Sequence, residues 1–73
     1  MTRYTVEYFH KFQSAHDLPV TQAVQADSHQ QAAEQIVARE EINEFVPVQV
    51  YGENVGGVRS FDVVAGQVTE SAW

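Results

Sequence analysis

A chain of 73 residues without cysteine makes one domain with a thin core, stapled neither by disulfides nor by thiolate-bound metal. Ten acidic residues against four basic ones leave a net charge of −6 with histidine neutral. That sign disfavours direct binding to nucleic acid or to anionic membranes, both of which are held mainly by Lys and Arg, and permits a basic protein surface as partner.

Residues 2–12 alternate, with Tyr4, Val6 and Tyr8 on one side and Thr5, Glu7, Phe9 and Lys11 on the other, the period of a β-strand. The pattern is not the unbroken apolar block of a signal peptide, and no run approaches the roughly 18 apolar residues of a membrane span, so a cytoplasmic protein is expected. Gln13 to Pro19 is polar, ends in proline and reads as a loop. Val20 to Ala26, with Val20, Val24 and Ala26 to one side, is expected to be a second strand paired with the first as a hairpin.

The stretch 27–41 is the one run with helical chemistry throughout. Ser28 followed by Gln31 matches a capping box, with Asp27 as the alternative N-cap. Ala32, Ala33, Ile36 and Val37 then form one apolar stripe. Glu40, Glu41 and Glu44 crowd the negative end of the helix dipole, where only Arg39 has the favoured sign.

After the helix, Phe45 to Tyr51 carries Val46, Val48 and Val50 on one face. Pro47 makes this strand an edge or else marks its start, because proline cannot donate to a ladder. The loop from Gly52 to Gly57 precedes a last strand from Val58 to Ala65, closed by Gly66, and residues 67–73 read as a tail that frays or docks through Trp73. The expected fold is α+β: a ββαββ order in one domain spanning 1–73, a four-stranded antiparallel sheet with one helix packed on one face. Its core would hold Tyr4, Val6, Tyr8, Val20, Val24, Ala32, Ala33, Ile36, Val37, Val46, Val48, Val50, Phe61 and Val63.

Catalytic patterns are sparse. His10, His16 and His29 show no metal-ligand spacing, no serine lies in a nucleophile-elbow context, and the glycines of the 52–57 loop are followed by no phosphate-loop Lys-Ser/Thr. No catalytic residue, metal or cofactor is therefore expected, and function falls to the surface. Two surfaces qualify. One is an acidic rim of Glu34, Glu40, Glu41, Glu44 and Glu53, able to occupy a basic, nucleic-acid-binding surface of another protein by mimicking phosphates. The other is the open sheet face, where Phe9, Tyr51, Asp62 and Val64 could receive a partner.

The first reading is thus a non-enzymatic protein-binding inhibitor. The alternative is an assembly protein forming a homodimer through the open sheet face or an edge strand. In size and charge the chain is similar to small acidic inhibitors that phages encode against host defence nucleases. That likeness rests on no motif, and it implies action in the host cytoplasm.

Overall fold

The computed structural model describes residues 1–14, 16–52 and 56–71. The elements are β1 (Thr2–Tyr8), β2 (Val20–Ala26), α1 (His29–Arg39), β3 (Val48–Gly52), β4 (Val58–Val64) and β5 (Gln67–Glu70). The class is α+β with an antiparallel sheet, but the sheet has five strands rather than four, in the order β2-β1-β3-β4-β5. β2 and β3 both run antiparallel to β1 and therefore parallel to each other, on either side of it. Strands so related need a crossover connection, and α1 supplies it.

The fifth strand comes from the stretch expected to be a tail. Val64 pairs with Gln67, so Ala65 and Gly66 form a two-residue hairpin loop, with φ of 52° and 80°. Positive φ at both positions is the type I′ pattern that matches strand twist. An alanine there is strained by its Cβ, at about 1–2 kcal/mol. Ala65→Asn is accordingly expected to raise stability by about 0.5–1 kcal/mol, since asparagine tolerates this region. A thermal melt checks it, and an unchanged or lower midpoint would refute the turn assignment.

α1 begins where its cap chemistry places it. The Ser28 hydroxyl accepts from Gln31 N at 3.1 Å, while Gln31 Oε1 reaches back to accept from Asp27 N at 2.7 Å. The helix is shorter than the 27–41 expected. Glu40 N donates to Ile36 O at 2.8 Å, but Glu40 itself is extended (φ −115°, ψ 152°), so the chain leaves the helix there. This turn-off places Glu41 and Glu44 beyond the helix and removes the like-charge pairing a longer helix would impose.

The helix stripe and one sheet face bury each other. Val6, Ala32, Ala33, Ile36, Val48 and Val50 are fully buried, with the larger Tyr4, Tyr8 and Phe61 buried beside them. The two adjacent alanines let the helix backbone close onto the strands. Three expected core residues lie further out: Val20 and Val37 pack only partly buried against the cluster, and Val46 is half-exposed. Ala26 and Ile42 join the core, and Val68 of β5 packs against it. Pro47 sits just before β3, so it marks a strand start, and β3 is interior rather than an edge.

Candidate protein-binding surface

β1 stops at Tyr8 because its neighbours change. Beyond it, Phe9 to Lys11 runs beside Glu41 to Asn43: Asn43 N donates to Phe9 O at 2.8 Å, Lys11 N donates to Glu41 O at 2.9 Å, and His10 bridges Ile42. Ile42 turns into the core, leaving its two neighbours to face outward. Two amide side chains then brace the loops. Asn43 Nδ2 donates to Gln13 O at 2.8 Å, and Asn43 Oδ1 accepts from Phe45 N at 2.9 Å, an Asx-turn. Gln13 Oε1 accepts from His10 N at 2.8 Å, and Gln13 Nε2 donates to Leu18 O at 2.9 Å.

These braces hold large apolar side chains out in water. Phe45 is 98% exposed, Leu18 86% and Phe12 83%. Lys11 Nζ lies 5.7 Å from the Phe12 ring centroid, a weak cation–π contact. Next to Phe45, an open groove is lined by Lys11, Glu41, Ile42, Asn43 and Glu44. Burying one such phenylalanine on a partner is worth about 1.5–3 kcal/mol, whereas exposed on this chain it contributes nothing to the fold.

The expected acidic rim is divided. Glu41 and Glu44 share the groove beside Phe45. The Glu44 carboxylate also accepts from Ala65 N at 3.4 Å and Gly66 N at 3.3 Å, which ties the loop end to the β4–β5 turn. Glu34 is exposed on α1 and lines a second groove with Gly66 to Val68. Glu40 is half-buried at the helix end, where it accepts from the Tyr8 hydroxyl at 3.4 Å. That hydroxyl in turn accepts from Gln22 Nε2 at 2.7 Å, so this carboxylate belongs to the interior edge of the core. Glu53 lies outside the described residues.

The open sheet face is mostly polar, and its expected apolar residues stand apart. Tyr51 lies between Thr5 and Val58 at one end of the sheet. Val64 is at the other end of β4, about 20 Å from Val58 at the usual rise per residue. Asp62 faces Thr69 of β5, and half-buried Phe9 lies beyond the end of β1 among the loop braces. Sequence patterning did not single out Phe12, Leu18 or Phe45. The available signal was Asn43 two residues before Phe45 with Pro47 after it, a turn signature at the start of the expected strand.

Of the histidines, His16 is exposed and His10 is half-buried in the bridge to Ile42. His29 is buried edge-on against Tyr4, with ring centroids 4.8 Å apart. Its Nε2, like the Ser71 hydroxyl, has no hydrogen-bond partner among the described residues. No three His, Asp or Glu residues converge on a metal position among the described residues. None of the described helices is long and apolar enough to cross a membrane. Comparison with known protein families, curated proteins and solved structures finds no match for this chain.

Proposed function

We propose that this chain is a non-enzymatic protein-binding module that acts by occupying a partner's surface through its loop end. The observation that carries the reading is Phe45, its side chain almost wholly exposed and its backbone N–H held by the Asn43 turn, with Glu41 and Glu44 beside it. An aromatic anchor flanked by charge is the usual composition of a binding hot spot and its rim. The complementary partner has an apolar cleft edged by Lys and Arg. A nucleic-acid-binding groove offers that combination, and the net charge of −6 favours approach to it. Occupying such a groove would inhibit its owner.

The double variant Glu41→Lys/Glu44→Lys tests the acidic half of this reading. Glu40 is left intact because its carboxylate faces Tyr8, and Glu41→Lys alone separates the rim charge from the tie that Glu44 makes to the β4–β5 turn. Reversing rim charges slows association more than it speeds release. The on-rate for the partner captured from the native host is therefore expected to fall about tenfold and to lose most of its salt dependence. An unchanged on-rate, with circular dichroism matching the parent, would remove the acidic rim from the account.

A further inference from the structure

We propose that β2 is a self-pairing edge: two copies of the chain meet antiparallel along β2, centred on Ala23, and join their five-stranded sheets into one. β2 lies at the end of the strand order, and its seven residues pair one-to-one with β1 without a bulge. Its sequence, VTQAVQA, contains no charge, proline or glycine, so it lacks the devices that normally protect an exposed edge. The opposite edge is different. β5 has only four residues and ends in the charged Glu70.

One hydrogen bond shows which backbone groups face outward. Gln25 O accepts from Gln35 Nε2 at 2.8 Å, so this carbonyl points away from β1. Alternation along an antiparallel ladder then turns the backbone of Thr21 and Ala23 outward as well.

About Ala23 the strand is self-complementary. Thr21 meets Gln25 of the second copy, Gln22 meets Val24, and Val20 meets Ala26. All of these pairs are uncharged, in a molecule of net charge −6. The nearest charges on the same rows are Glu7, opposite Thr21, and Arg3, opposite Gln25. In the paired sheet Glu7 of one copy shares its row with Arg3 of the other, so the register sets opposite signs in line.

Sedimentation velocity from low to high micromolar concentration tests this. The parent chain is expected to move from 8.2 kDa toward twice that mass. Ala23→Lys places two like charges opposite each other at the centre, and Ala23→Pro removes an outward N–H that β1 does not use. Each variant is expected to stay at monomer mass with unchanged circular dichroism. A parent that stays monomeric throughout overturns the proposal, as does an Ala23→Lys variant that still dimerises. If Ala23→Pro fails to fold, Ala23→Lys alone decides.

Discussion

Phe61→Ala is expected to cost about 3–5 kcal/mol, the range for truncating a buried aromatic. Phe61 is 1% exposed, lies on β4 between Val48 of β3 and Glu70 of β5, and belongs to the core that the helix covers. A domain of this length has a total stability of roughly 4–11 kcal/mol. The variant should therefore lose a large share of that stability. Guanidinium unfolding with an internal helix signal measures the loss. A change below about 1 kcal/mol would mean that the β4–β5 hairpin does not close over the core as described.

Such sensitivity follows from how little holds the chain together. One helix stripe and one sheet face supply the apolar contact, and among the described residues a single ion pair, Arg59 to Glu70 at 2.9 Å, spans two half-exposed side chains. An exposed pair of this kind contributes about 0–1 kcal/mol. Burial decides the fold, and each large core residue carries a sizeable share of it.

What the sequence made legible was chemistry that acts over a few residues. Ser28 and Gln31 cap their own helix, so the start of α1 is written locally. β2 and β4 lie between turn residues, and although β2 alternates less cleanly, the ends of both agree with expectation to within a residue. Illegible features depend on what lies alongside. Strand alternation continues through Phe9 and Lys11, but β1 ends because the Glu41–Asn43 segment replaces its strand neighbours. Ile42, between polar residues, gives no periodic signal, and its burial comes from that same pairing. β5 is short and polar, and its turn is Ala-Gly rather than Asn-Gly, so nothing in QVTE announces a strand.

The candidate surface was half legible. Acidic residues can be counted from the sequence, yet the fold sorts them: Glu40 to the core edge, Glu34 to the helix face, Glu41 and Glu44 to the groove. Phe45 was hidden because an aromatic next to Val46 and Val48 reads as strand. Only the Asn43 turn and Pro47 reveal that it precedes β3 and points into water.

Phe45→Ala is therefore the variant whose two effects should diverge most. With Phe45 98% exposed, its truncation is expected to leave stability within about 0.5 kcal/mol of the parent, as for surface substitutions generally. Losing a hot-spot aromatic costs about 2 kcal/mol or more of binding, about a thirtyfold weaker Kd. The decisive measurement pairs a denaturant melt of this variant with its affinity for the captured host partner. An unchanged melt together with at least a thirtyfold loss of affinity is the predicted result. Parent-like affinity would contradict the account, because the partner would then dock elsewhere on the molecule.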